Sequence, residues 1–302
     1  MKCISFYGLK HALLLMLSFL SFQAQAQRLF SPTGNHYDKS KRMVVDQAKI
    51  GAMYELQFRK DSTKVNDYTK AQTVLMISNK YLLFGDYNRL VFDSINDYMA
   101  ESKRNARNRQ AYVQWQEAIG KWTYFFVTLT DLAKQQTTVQ TYDVLRSYEY
   151  TYATPKMSWN LEAGDTLIQG RKCQKATCTF SGRNYVAWYT ESIPLPYGPY
   201  LFAGLPGLIM EIYDTGRNWI FTNNGFGTMP NHASMYIYKK EYIQDLIVTS
   251  REKALTGYRN DIEDFDNLSI ELFKVKVERN GKMVPPEANN PKRPSNMLEL
   301  VW

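Results

Sequence analysis

The sequence predicts an α+β fold, predominantly antiparallel β, with a curved or half-closed sheet and one or two helices packed against it. Three observations lead there. Period-two alternation of apolar and polar residues, the mark of a strand with one buried face, recurs along the chain. Short Gly-containing connectors join neighbouring β-prone runs, the pattern of hairpins. Helical spacing and a helix-start pattern are confined to two segments. Long antiparallel meanders of this kind bury one face.

In chain order, residues 52–59 alternate, with Tyr54, Leu56 and Phe58 on one face and Glu55, Gln57 and Arg59 on the other. Residues 73–78 and 80–84 form two apolar runs around Asn79, a hairpin pattern. Residues 94–119 carry Ile95, Met99, Tyr112, Trp115 and Ile119 at helical spacing. Their polar middle, 102–110, reads either as an exposed helix or as a loop. Residues 121–130 and 144–152 read as strands. Residues 172–180 and 184–190 flank Ser181-Gly182-Arg183 as a hairpin, with Tyr185, Ala187 and Tyr189 opposite Val186, Trp188 and Thr190. A second hairpin joins 208–213 to 218–222 through Asp214-Thr215-Gly216-Arg217. Thr249-Ser250-Arg251-Glu252 fits a capping box opening a helix to about Ile262. Residues 268–278 alternate again, and Asn280-Gly281 predicts a type I′ turn.

The domain plan is a signal peptide over 1–26, one β-rich domain over 27–284 and a loosely ordered, Pro- and Asn-rich tail over 285–302. Lys2 and Lys10 supply the positive start, residues 12–22 the short apolar run, and Ala24-Gln25-Ala26 the small-x-small cleavage site. The run is too short for a spanning helix, which needs ~20 apolar residues. The expectation is therefore an exported chain without a transmembrane segment, cut after Ala26, in the periplasm or outside the cell. The net charge is +8, about +6 without Lys2 and Lys10. Basic residues are interleaved with acidic ones and no nucleic-acid motif accompanies them, so no nucleic-acid partner is expected.

Candidate chemistry is sparse. Cys173 and Cys178 fall five apart on one strand, hence on opposite faces and ~16 Å apart, beyond disulfide reach. Two unpaired thiols, at least one of them buried, are expected. After cleavage the histidines are His36 and His232, and no zinc signature, nucleophile elbow or phosphate loop is present. The reading assigns no catalytic residue, no metal and no cofactor. Glu191 and Glu211 bracket a Pro/Gly-rich stretch and are the carboxylate pair a glycosidase would use. Solvated acids at strand ends are the simpler account of both.

That stretch, residues 193–209, contains Pro194, Pro196, Pro199 and Pro206 with Gly198, Gly204 and Gly207. Proline fixes φ and removes a donor, so the stretch is neither helix nor central strand. Leu205-Pro206-Gly207-Leu208 suits a type II turn with Gly207 at positive φ. The loop is unusual in being apolar: Leu195, Tyr197, Tyr200, Leu201, Phe202 and Leu205 dominate it. It either covers the core or presents an apolar surface to something else. Candidate binding residues are Tyr197, Tyr200 and Phe202 in the loop, with Arg183, Trp188 and Tyr189 beside it as a stacking platform.

Gly204-Leu205-Pro206-Gly207-Leu208-Ile209 is the hexapeptide of the GLPGLI family, which the chain resembles. Cys173-Gln174-Lys175-Ala176, Gly182-Arg183, Ala187-Trp188-Tyr189-Thr190, Ile193-Pro194 and Gly198-Pro199 are also similar to its pattern, over about 159–214. Tyr200 departs from it, standing where the family often has Trp. The resemblance implies an exported protein of Bacteroidetes-type bacteria and carries no catalytic residues. The leading expectation is a non-enzymatic envelope protein that recognises a partner protein or an apolar or peptidic ligand through the 193–209 loop. The alternatives are a hydrolase acting on wall, glycan or peptide material and a structural subunit of a surface complex.

Overall fold

The computed structural model describes residues 37, 39–142, 145–230, 233–240, 245–272, 274, 277–279, 282–284 and 290–301. The expected signal peptide, His36, His232 and the Asn280-Gly281 turn lie outside these residues. The strands are β1 (Lys41–Gln47), β2 (Ile50–Phe58), β3 (Thr69–Ile77), β4 (Tyr81–Asp86), β5 (Phe126–Asp131), β6 (Gln136–Thr141), β7 (Ser147–Ala153), β8 (Asn160–Ile168), β9 (Arg171–Phe180), β10 (Arg183–Thr190), β11 (Leu208–Asp214), β12 (Trp219–Thr228), β13 (Ser234–Lys240), β14 (Leu246–Val248), β15 (Val277–Arg279) and β16 (Lys282–Val284). The helices are α1 (Tyr87–Glu101), α2 (Lys103–Ala106), α3 (Arg109–Lys121), α4 (Arg251–Glu263) and α5 (Phe265–Leu272). Among the described residues no helix is long and apolar enough to cross a membrane.

Twelve strands form one sheet in the order β14-β7-β6-β5-β4-β3-β2-β12-β11-β10-β9-β8. Every neighbouring pair is antiparallel except β14 with β7. The expected antiparallel α+β class is therefore observed, with a sheet that strand pairing does not close. Its curvature follows from side-chain reach. β7 and β10 are eight strand steps apart, ~38 Å across a flat sheet. Yet Tyr150 of β7 and Tyr185 of β10 both lie close enough to the Glu299 carboxylate to feel its charge. The sheet wraps around its contents.

The concave face holds the main core. Ala52, Tyr54, Leu56 and Phe58 of β2, Leu75 of β3, Phe84 of β4, Tyr148 and Tyr150 of β7, and Tyr185, Ala187 and Tyr189 of β10 all point into it. They meet Leu201, Phe202 and Leu205 of the 193–209 loop and Ala254, Leu255 and Tyr258 of α4. A second core lies on the opposite face of β3 to β5, where β1 and β13 pair as a separate two-stranded layer. Val74, Met76, Leu83, Val127 and Leu129 are covered there by Met235 and Ile237. Both faces of β3 to β5 are thus buried, which explains their nearly unbroken apolar runs. On the other half of the sheet no described element covers the outer face. There Lys175, Trp188, Glu211, Thr222 and Glu55 stand in register across β9, β10, β11, β12 and β2.

Several sequence expectations change. The 94–119 helix is two longer helices, α1 and α3, joined by the four-residue α2. Each starts on its own cap, with Asp86, Ser102 and Asn108 accepting a backbone N–H from Asn88, Asn105 and Ala111. The polar middle is the break between them. The strand expected from residue 121 begins at Phe126, because α3 runs on to Lys121. The alternation over 268–278 divides: residues 268–272 belong to α5, where Phe265, Leu268 and Leu272 are three and four apart and the helical reading wins, while 277 and 278 belong to β15. The cap of α4 is Ser250, one residue later than expected, accepting from Lys253 at 3.4 Å. Arg59 is buried just beyond β2, with its Nε donating to the carbonyl of Arg217 at 3.2 Å and so holding the β11–β12 turn.

The tail also differs from expectation. Met297, Leu298 and Glu299 are buried, and the Ser181 carbonyl accepts from the backbone N–H groups of Leu300 and Val301 at 2.9 and 3.2 Å. The Pro- and Asn-rich composition of 285–296 hides the apolar pair Met297-Leu298 that follows it and enters the main core.

Candidate functional site

The 193–209 loop has an inner and an outer side. Ile193, Tyr200, Leu201, Phe202 and Leu205 are buried. Phe202 meets Tyr185 edge-on at 4.7 Å between ring centroids and Phe180 at 5.7 Å. Two of the three candidate binding aromatics of the loop, Tyr200 and Phe202, are therefore core residues. A twelve-strand sheet that curves must fill its hollow, and this loop is the filling. Tyr197 stays half-buried, as do Leu195, Met157 and Trp159, while Pro194, Pro196 and Pro206 are exposed.

Backbone hydrogen bonds fix the loop's shape. Tyr197 and Ala203 form an isolated antiparallel bridge, and Gly204 N–H donates to the Pro196 carbonyl at 2.9 Å. The Tyr197 carbonyl accepts from Ile209 N–H at 3.0 Å. Trp159 Nε1 donates to the Ala203 carbonyl at 2.9 Å, and Tyr54 Oη to the Ile209 carbonyl at 2.8 Å. The two glycines flanking Leu205-Pro206 have roles other than the one predicted. Gly204 is the residue at positive φ, +99°, which favours glycine. Gly207 is not at positive φ; a Cβ there would lie 2.0 Å from the Thr190 carbonyl oxygen, so close approach of two backbones requires it.

The stacking platform does not assemble. Tyr189 is buried on the concave side, its hydroxyl donating to Gln174 Oε1 at 2.7 Å. Trp188, the next residue on the strand, is half-buried on the outer face between Lys175 and Glu211. Arg183 is buried: its Nη1 donates to Asp214 Oδ2 at 3.2 Å, its Nε to the Leu298 carbonyl at 3.1 Å and its Nη2 to Asn296 Oδ1 at 2.7 Å. A guanidinium spent on the tail has no free face for a ligand.

Polar chemistry gathers instead where the loop, α4 and the tail meet. The Glu299 carboxylate accepts from Tyr200 Oη and Arg251 Nη2, and Ser181 Oγ lies 3.2 Å from both Glu299 Oε2 and Arg251 Nη2. Tyr124 and Tyr150 also feel this carboxylate. Burial, and then Glu299, push the Tyr200 hydroxyl well above the usual phenol range. Burial opposes the charge on Arg251, but Glu299 outweighs it and the guanidinium is held even more firmly protonated. The hydroxyls of Tyr124, Tyr150 and Tyr152 and Arg251 Nε are buried with no hydrogen-bond partner among the described residues. Sequence reasoning missed Glu299 and Arg251; the one sign was an acid inside the closing apolar run.

The remaining candidates stay apart. Glu191 is exposed beyond β10, while Glu211 lies on the outer face, 3.4 Å from Thr222 Oγ1. Cys173 and Cys178 are unpaired and both buried. Burial raises both thiols, Cys178 to about 12, the opposite of nucleophile activation. Among the described residues no group of three His, Cys, Asp or Glu side chains is placed to hold a metal ion.

No curated protein matches this chain. Two crystal forms of PNGF-II are similar in structure, at 9% identity and a TM-score of 0.42, and at 12% identity and 0.40. They cover 69% and 68% of this chain, which spans about a third of the length of each. A family model described as a protein of unknown function (Porph_ging) matches residues 114–211, a span that runs from α3 through the 193–209 loop and takes in the whole Gly204-to-Ile209 hexapeptide.

Proposed function

We propose that this chain is an exported, non-enzymatic envelope protein that recognises a partner protein's apolar or peptidic segment through the outer side of the 193–209 loop. Leu195 and Tyr197, with Trp159 bonded to the loop at Ala203, are the contact residues; each is half-buried against the core, and Pro194, Pro196 and Pro206 beside them are exposed. The observation that carries the reading is the division of the loop. Its inner side is committed to the core, so its outer side is held rigid while remaining apolar. A preorganised apolar surface loses little conformational freedom on binding. Tyr200 and Phe202, buried on the inner side of the loop, support that surface from behind rather than touching the partner.

The test is photocrosslinking in the native envelope with a photoreactive residue at Tyr197, and at exposed Val65 as a control. One dominant adduct from position 197, lost on Leu195→Ser, is the expected result. Equal capture from both positions, or none from position 197, overturns the reading.

A further inference from the structure

We propose that the far end of the α1–α3 helix pair, closed by α2, is a docking surface for an anionic lipid membrane. Asn88 Nδ2 donates to the Lys121 carbonyl at 3.4 Å, and Asn108 Nδ2 to Tyr98 Oη at 3.2 Å. The start of α1 thus meets the end of α3, and the two helices run antiparallel. α2 turns the chain at the other end, ~22 Å along α1 from the Asp86 cap. That end carries Lys103, Arg104, Arg107 and Arg109, all exposed, and residues 102–116 contain no acid. The flanking acids are turned to other cations: Asp97 to Arg42, Glu101 to Lys39 at 3.9 Å and Glu117 to Lys121 at 3.9 Å. Among the described residues none of the four cations pairs with an acid. Nor do these charges serve the helices. Arg109 is the first residue of α3, where the helix dipole favours an acid, and the first turn holds none.

The occupant follows from the charge and from what lies between the charges. Ala111 and Ala118 are buried and Trp115 meets Phe92 at 5.5 Å, so this face of α3 turns inward. Arg109 and Val113, four apart, then turn outward together. Val113 is 43% exposed and Tyr98 40%. Tyr98 is held beside the cations by Asn105 Nδ2, which donates to its carbonyl at 3.0 Å, and by Asn108 at its hydroxyl. A soluble polyanion would be met by the cations alone. A bilayer surface meets cations with its phosphates and takes tyrosine and apolar side chains at its headgroup boundary. Anionic leaflets favour each nearby Lys or Arg by about fivefold in affinity, and the attraction fades within a Debye length. The inference stands on the helix pair alone and does not depend on the partner assigned to the 193–209 loop.

The test titrates the exported chain with vesicles of equal parts phosphatidylglycerol and phosphatidylcholine, with phosphatidylcholine vesicles, and with heparin as a soluble polyanion. All variants share the rest of the chain, and their folding is checked by near-ultraviolet circular dichroism. Binding to the anionic vesicles, not to the neutral ones, is expected, and it should weaken as salt rises. Lys103→Gln, Arg104→Gln, Arg107→Gln and Arg109→Gln together should lower affinity for anionic vesicles about a hundredfold. Lys60→Gln, Lys64→Gln, Lys80→Gln and Lys134→Gln together remove the same charge from other exposed positions and should lower it less than about threefold. Val113→Ser keeps every charge and should weaken vesicle binding about threefold while leaving heparin binding unchanged. No preference for anionic vesicles, or equal losses in the two quadruple variants, overturns the proposal. So does vesicle binding indifferent to Val113→Ser, which would assign the surface to a soluble polyanion.

Discussion

Two buried carboxylates on opposite faces of the sheet, Asp93 and Glu299, show how differently a charge can be used inside this fold. Asp93 sits on α1, fully buried, within 3.4 Å of Arg89 Nε and 3.8 Å of Arg42 Nη1, and accepts from Tyr236 Oη at 2.8 Å and from Tyr238 Oη. Arg89 also lies over the rings of Trp122 and Tyr238 at 4.2 and 4.4 Å. Gln140 of β6 ties the set to the main sheet, accepting from Tyr238 N–H at 3.0 Å and from Tyr142 Oη at 2.6 Å. Glu299 has comparable partners, with three phenols and Arg251 Nε around it that have no hydrogen-bond partner among the described residues. The Asp93 set leaves one such atom, Oδ1 of Asp97, a residue that pairs with Arg42 through Oδ2.

The largest effect should come from removing Asp93. Asp93→Ala leaves buried Arg89 without its carboxylate and Arg42 with Asp97 alone, and removing one partner of such a buried set costs about 3–5 kcal/mol. Urea denaturation measures this directly. A loss under about 1 kcal/mol would mean that the network stabilises nothing and that the contrast with Glu299 is only geometric.

Next in size is a pH effect at Asp86, the cap of α1. Burial raises its carboxyl to about 6 despite backbone N–H groups from Tyr124, Thr123 and Asn88. The ordinary value is 3.8, so between those limits the folded chain binds more protons than the unfolded one. Stability from this group is therefore greatest below pH 3.8 and is lost as pH rises through about 6. The full change is about 3 kcal/mol at 1.36 kcal/mol per pKa unit. Asp86→Asn should remove that slope, seen by subtracting its pH–stability curve from that of the unmodified chain. An unchanged slope refutes the assignment.

Glu299→Ala is expected to cost less, about 2 kcal/mol, because its partner Arg251 is about a quarter exposed and regains water when the tail loosens. The change should also speed proteolysis after residue 290, whereas Asp93→Ala should not do so selectively. Selective loosening of the tail is what separates the two carboxylates in this test.

Much of this fold was readable from the residues, for identifiable reasons. Tyr54, Leu56 and Phe58 declare β2 because one face is buried and the other wet. Ser181-Gly182 declares a hairpin because Ser181 and Gly182 both take positive φ. Where two periods fit, as at Phe265, Leu268 and Leu272, the chain's local pattern cannot choose and packing against the rest decides. The loop aromatics were legible as apolar but not as inward or outward, since that depends on how sharply a distant sheet bends. The Glu299 site was least legible. Arg183, Tyr200, Arg251 and Glu299 come from four separate segments, and no spacing links them.

The smallest predicted effect gives the sharpest comparison. Tyr150→Phe removes a buried hydroxyl that has no partner among the described residues, whereas Tyr236→Phe removes one bonded to Asp93 at 2.8 Å. Both changes delete one oxygen and leave the ring. If the Glu299 side is unsaturated, Tyr150→Phe should shift stability by less than about 0.5 kcal/mol or raise it slightly, since no hydrogen bond is lost and a desolvation cost is relieved. Tyr236→Phe should lose about 1.5–3 kcal/mol, the range for a bond to a charged group. Equal losses at the two positions would show that Tyr150 is as fully bonded as Tyr236. The floor beneath Met297 to Glu299 would then be as fixed as the network under α1.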